Sequence, residues 1–171
     1  MEEIKIITIG SERWQEYKEL QIEAVRQELV AFLPTYEEKI AMPDSDYKDE
    51  LDRAEKGEII LLFAEMNGKL VGMGGASFHT LSKMKHNSYL WNLFVPKDFR
   101  RKGIGMLLSE RRIEEIKKRK EIKNIFCEIV VTQIASVELH KKLGFEIVGE
   151  LESLFFVEGN YINQFSLQKK I

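Results

Sequence analysis

The segment Val95-Pro96-Lys97-Asp98-Phe99-Arg100-Arg101-Lys102-Gly103-Ile104-Gly105 lies between two stretches of different periodicity, and its reading decides the fold. Before it, Ser88 to Val95 is an apolar and aromatic run ended by Pro96, which predicts a strand. After it, Ile104, Leu107 and Leu108 fall on one side of an amphipathic helix predicted from Gly103 to Lys120. Glycines in such a turn let the main chain approach an anion closely. The first turn of the helix also offers amide N–H groups that have no acceptor within the helix. Arg100, Arg101 and Lys102 add positive charge on the same side. Together these features predict a pyrophosphate site at the helix mouth, where each favourable charge contributes roughly 0.3–1 kcal/mol. Two other glycine-rich nucleotide sites fit less well. A dinucleotide fold places its glycines early, after the first strand, and a P-loop needs Gly-Lys-Ser/Thr where this chain has Gly103-Ile104-Gly105-Met106.

Working outward, Ile4 to Ile9 predicts a first strand, with Ser11 as the cap of a helix carrying Trp14, Tyr17, Leu20 and Ala24 at helical spacing. A second helix is predicted over Asp46 to Lys56, entered after Pro43 and stopped by Gly57. Ile59 to Glu65 and Lys69 to Phe78 pair back through Asn67-Gly68, a two-residue hairpin turn. Downstream come a strand over Ile125 to Val131, a helix over Ile134 to Leu143 closed by Gly144, and the strand runs Phe145 to Leu151 and Leu154 to Val157. Gly159-Asn160 then turns the chain into Tyr161 to Leu167. The element order is β-α-α-β-β-β-α-β-α-β-β, with Thr80 to Asn87 as a polar loop.

A second informative segment is Gln133-Ile134-Ala135-Ser136-Val137-Glu138-Leu139-His140-Lys141-Lys142-Leu143-Gly144-Phe145. With the turn at Arg100 to Gly105 it resembles the two motifs of the GNAT acetyltransferase superfamily, R/Q-x-x-G-x-G/A and N-x-x-A-x-x-L-Y-x-K-x-G-F, in the same order. Three positions differ: Gln133 stands for the usual Asn, Ser136 for Ala and His140 for Tyr. Gln21 to Leu51 is similar to the helical region that opens many bacterial members, and Leu90 to Val95 to their central strand.

The resemblance implies the acyl-CoA N-acyltransferase fold, an α/β single domain over 1–171 with a mixed, mostly antiparallel sheet flanked by helices. It also implies acetyl-CoA as cosubstrate and direct attack by a primary amine on the thioester carbonyl. Leu93, Phe94 and Val95 would offer main-chain groups to the pantetheine arm and the acetyl carbonyl. Arg100, Arg101, Lys102, Gly103, Ile104, Gly105 and Met106 would hold the pyrophosphate, and Gln133, Ser136, His140 and Lys142 would complete the CoA site. His140 occupies the position of the general acid and alternatively serves to position CoA. Glu128 is a candidate general base, while Tyr89 and Asn92 could orient a water. A non-catalytic acyl-CoA-binding module is the alternative that the missing motif tyrosine keeps open. The acceptor pocket in this family is built by the opening helices and the last strands, so the acceptor is left open between a small molecule and a protein N-terminus.

Composition narrows the field. Lys and Arg total 26 against 28 Asp and Glu, for a formal net charge of -2, which argues against general nucleic-acid binding. Arg111, Arg112, Lys117, Lys118, Arg119 and Lys120 are interspersed with Glu110, Glu114, Glu115 and Glu121, as on a solvated helix face. His79 and His86 fall in the polar loop. Trp14, Tyr17, Trp91 and Phe156 are expected in the core or a pocket wall. Cys127 is the only cysteine, read as a buried structural thiol, and no metal-ligand spacing surrounds it. With no leader or membrane-spanning run evident, the chain is expected in the cytoplasm, without a membrane partner. The late strands make a homodimer plausible.

Overall fold

The computed structural model describes residues 3–171. Strand β1 (Ile4–Ile7) leads through a 3-10 turn (Ser11–Arg13) into α1 (Trp14–Gln27), followed by α2 (Tyr36–Ala41) and α3 (Asp44–Glu55). The hairpin of β2 (Ile60–Met66) and β3 (Lys69–Phe78) precedes β4 (Asn87–Phe94), and a second 3-10 turn (Lys97–Phe99) opens into α4 (Ile104–Lys117). The chain then runs through β5 (Asn124–Val130), α5 (Ile134–Lys142), β6 (Glu146–Val157) and β7 (Asn160–Lys170). The seven strands form one sheet in the order β1-β2-β3-β4-β5-β7-β6. Every neighbouring pair is antiparallel except β4 with β5.

Helices cover both faces of the sheet around β2 and β3, so these strands are apolar on both sides. On β2, Leu61 and Phe63 pack with Tyr17, Leu20, Tyr47 and Leu51 of α1 and α3. Leu62 and Ala64, one step out of phase, pack with Ile104 and Leu108 of α4 on the opposite face. A third cluster joins Ile113 and Ile116 of α4 to Ile125 and Cys127 of β5 and Val137 of α5.

The predicted hairpin between β2 and β3 forms as the sequence requires, with Asn67 at φ 52° and Gly68 at φ 77°, the two left-handed positions of a tight turn. Gly57 and Gly144 likewise adopt positive φ after α3 and α5. Other expectations are corrected. The first strand ends at Ile7, and Ser11 makes no capping hydrogen bond because it starts a 3-10 turn after Gly10. The opening region holds three helices, the extra one being α2, opened by a capping box between Thr35 and Glu38; that Thr-x-x-Glu pattern is visible in the sequence. The two late runs form one strand, β6, irregular between Leu151 and Phe155. It turns into β7 through Glu158-Gly159, since Val157 pairs with Asn160. Leu107 faces outward at 41% exposure and Phe156 is 64% exposed.

Candidate active site

A cavity of about 630 Å³ opens where β4 and β5 part. Parallel pairing runs from Asn87–Asn124 to Leu90–Cys127 and stops there, so the main chain of β4 beyond Leu90 forms one wall and that of β5 the other. On its other edge β4 pairs Trp91 with Gly75 and Phe94 with Met73. Three steps along β4 thus oppose two along β3, a bulge whose extra residue falls within Asn92-Leu93. Asn92 carries the strain of it at φ 59°, a left-handed conformation uncommon for a residue with a side chain.

The turn at Arg100 to Gly105 closes one end of this cavity. Gly103 caps α4 in the left-handed region at φ 80°, and no side chain occupies the cap. The first helical turn contains no acidic residue, leaving its amide dipoles free to face an anion. Gly105 serves a second purpose: a Cβ there would come within 3.3 Å of Leu139, so its absence lets α5 approach α4 across the cavity. Arg100 donates from Nε to the Val95 carbonyl at 2.8 Å and from Nη2 to Glu28 at 2.6 Å. Gln133 donates to the other oxygen of Glu28 at 2.9 Å. Glu28 therefore ties both sequence motifs to the end of α1, a link that no local pattern reveals. Of the residues expected to bind the nucleotide, all line the cavity except Lys102, whose ammonium lies over the Phe99 ring.

Glu128 stands on the β5 wall, exposed to solvent, and accepts a hydrogen bond from buried Gln164 at 3.3 Å. His140 is 3% exposed, packed edge-on against Phe145. Its Nδ1 lies 2.8 Å from the Ser136 carbonyl oxygen. A carbonyl only accepts, so Nδ1 carries the hydrogen and, in the neutral ring, Nε2 is the unprotonated nitrogen. Burial pushes its pKa down to about 4 against the bond to Ser136, and the Arg112 charge lowers it further. The imidazolium is then present in only about one molecule in a thousand at pH 7. Cys127 is 4% exposed and its thiol is pushed up to about 12 by burial, which leaves it protonated and unsuited to attack. Tyr89 stacks on Phe126 away from the cavity, and the Asn92 side chain turns to the Met73 sulfur.

One residue expected on a solvated surface lies inside. Arg112 is fully buried and forms part of the cavity lining. It belongs to the inward stripe of α4, at four-residue steps from Ile104 and Leu108, and that spacing was the signal that its charge obscured. Burial lowers its pKa to about 10, well above neutrality, so it remains a cation. Among the described residues, no helix is long and apolar enough to cross a membrane and no cluster is arranged to hold a metal.

Residues 22–145 match the Acetyltransferase (GNAT) family. Over 125 residues, 68% of this chain and 75% of the other, the sequence is 23% identical to an N-alpha-acetyltransferase of Sulfurisphaera tokodaii. It is 30% identical over 93 residues to the ribosomal protein bS18-alanine N-acetyltransferase of Escherichia coli K12, covering 54% of this chain and 59% of that one. Among solved structures, an acetyltransferase of the GNAT family from Streptococcus pneumoniae shares the fold at a TM-score of 0.89 and 22% identity, over 99% of both chains. An acetyltransferase from Salmonella typhimurium, determined with acetyl-CoA, does so at 0.85 and 16% identity, over 98% of this chain and 94% of that one.

Proposed function

The chain belongs to the acetyltransferase (GNAT) family and is an acetyl-CoA-dependent N-acetyltransferase, and from that premise we propose how its residues divide the work. The carrying observation is that the parting of β4 from β5 and the mouth of α4 open into a single cavity. In this reading the first turn of α4 and Arg101 grip the pyrophosphate, while Arg100 is held by Glu28 and Lys102 lies outside the cavity over Phe99. The main chain of Leu93, Phe94 and Val95 receives the pantetheine arm, and Gln133, Ser136 and Lys142 border it from α5. The acceptor amine approaches from the side of Glu128, which takes its proton as nitrogen bonds to the thioester carbon and sulfur leaves with the C–S electrons. His140 acts as a neutral ring that shapes the pocket beside the sulfur; its bond to Ser136 and its burial favour this positioning role over that of proton donor.

For the acceptor we propose the α-amino group of a polypeptide, supported by the two relatives above, whose names specify N-alpha and alanine N-acetylation. The near balance of acidic and basic residues supports an acceptor other than nucleic acid. The exposed apolar side chains of β6, among them Val148, Leu154 and Phe156, support association of two copies. We place the enzyme, as one catalytic unit, in the cytoplasm, a setting compatible with its single unpaired cysteine. The test is release of free CoA thiol from acetyl-CoA with a panel of short peptides and small amines. Faster release with peptides is expected, and release with small amines alone would overturn this acceptor class.

Glu28 supplies a second expectation. Its carboxylate occupies Arg100, whose charge would otherwise meet a phosphate. Half-exposed ion pairs contribute up to about 1 kcal/mol, so Glu28→Ala is expected to tighten CoA binding by up to about fivefold in calorimetry. Weaker binding would instead make Glu28 a support for Arg100.

A further inference from the structure

An arginine buried without a carboxylate is an expensive arrangement, because desolvation of the charge is not offset by an opposite one. Arg112 is such a group: fully buried, with no acidic partner among the described residues, its Nε without a hydrogen-bond acceptor among them. The fold makes room for it deliberately. On β3, Gly72 and Gly74 lie beneath the α4 stripe, and a Cβ on Gly74 would come within 3.0 Å of the Arg112 Nε. Packing alone would be served by an aliphatic residue, so the cation must answer to something the sheet requires.

Its hydrogen bonds show what that is. Nη2 donates to Ser109 at 2.9 Å, which fixes the fork on its own helix. Nη1 donates to the Gly75 carbonyl at 3.1 Å and the Trp91 carbonyl at 3.2 Å. Gly75 and Trp91 are the last pair before the β3–β4 ladder slips at the bulge. The Trp91 carbonyl belongs to the same peptide group as the Asn92 N–H, and that peptide lies past the point where β5 ceases to pair, on the cavity wall. A charged donor on the oxygen of a peptide polarises the whole unit and strengthens its N–H as a donor.

We propose that Arg112 is a positioning residue for acyl transfer, holding and polarising the Trp91–Asn92 peptide of the bulge so that the wall of the cavity is set to receive negative charge. The proposal rests on the reading of this cavity as the acetyl-CoA site. As the amine nitrogen bonds to the thioester carbon, the carbonyl electron pair moves onto oxygen. It returns as the C–S bond breaks with its electrons on sulfur, while the amine proton passes to Glu128. A fixed dipole and a buried cation next to this charge favour it without having to reorganise.

The experiment compares the full chain with Arg112→Gln and Arg112→Lys. Gln keeps a donor and loses the charge, whereas Lys keeps the charge and loses the fork. The readouts are kcat, CoA affinity by calorimetry, and the infrared carbonyl stretch of bound [1-13C]acetyl-CoA. In the unaltered chain the stretch is expected below its solution value. In Arg112→Gln, kcat should fall about 30-fold or more, somewhat below the roughly 10²- to 10³-fold loss for removing a donor that itself touches the developing charge. CoA affinity should stay within about threefold and the stretch should return toward solution, with Arg112→Lys between the two. Wild-type kcat in the Gln variant, or a loss of rate and affinity together with an unmoved stretch, overturns the proposal. If the Gln chain does not unfold cooperatively, the Lys chain decides, and wild-type values of both kcat and stretch overturn it. Failure of the unaltered chain to bind CoA would instead overturn the reading of the cavity.

Discussion

Glu128→Gln is expected to lower kcat by about 10²- to 10⁴-fold, the range of a lost general base, with CoA affinity held within about threefold. The carboxylate stands on the β5 wall of the cavity, on the stretch that no longer pairs with β4, which is the side from which the proposed reading brings the acceptor. Its exposure allows proton exchange with solvent after each turnover. Gln164, reaching from β7, steadies one oxygen and leaves the other for the amine. Gln at position 128 retains the size and the ability to hydrogen-bond, so packing survives and only proton acceptance is removed. Stopped-flow or steady-state thiol release at saturating acceptor checks this. A drop of less than tenfold, or one confined to KM, would transfer the base role to an ordered water.

Between pH 6.5 and pH 4 the unaltered chain is expected to lose about 3 kcal/mol more stability than His140→Phe. The fold keeps this imidazole neutral, with its pKa pushed down to about 4 by burial, whereas the unfolded chain takes up a proton near pH 6.5. Over that window the unfolded state binds the extra proton. The stabilisation is therefore complete above pH 6.5 and lost as pH falls through the folded value. Each tenfold difference in proton affinity between the folded and unfolded chain corresponds to about 1.4 kcal/mol. Urea unfolding of both chains at pH 7, 5.5 and 4.5 measures the difference directly. Parallel pH dependences would mean that His140 titrates in the fold as it does in the unfolded chain and would return it to the general-acid role. The rate between pH 6 and 8 should accordingly show no step that follows protonation of this ring.

The glycine turn before α4 was legible because its requirements are local. A left-handed position before α4 calls for glycine at 103, and the strand and helix on either side show their periods over few residues. The hairpin at Asn67-Gly68 and the stop at Gly144 were readable for the same reason. The turn after β6 was misplaced by one residue, since Gly159 can serve at either place in a two-residue loop and only cross-strand register chooses between them. The burial of Arg112 escapes the sequence on a different ground. Its spacing from Leu108 was helical and inward, but a charge in a run of charges outweighed the spacing.

The contact of Glu28 with Arg100 and Gln133 joins residues 72 and 105 positions apart, and neither partner carries any mark of it in its own neighbourhood. What the order of residues settled alone was which segments become strands and helices and where a glycine turn opens α4, because backbone conformation answers to neighbours a few residues away. The packed chain decided the protonation of His140, the burial of Arg112 and the opening between β4 and β5. Desolvation and strand divergence depend on atoms brought together from distant parts of the sequence.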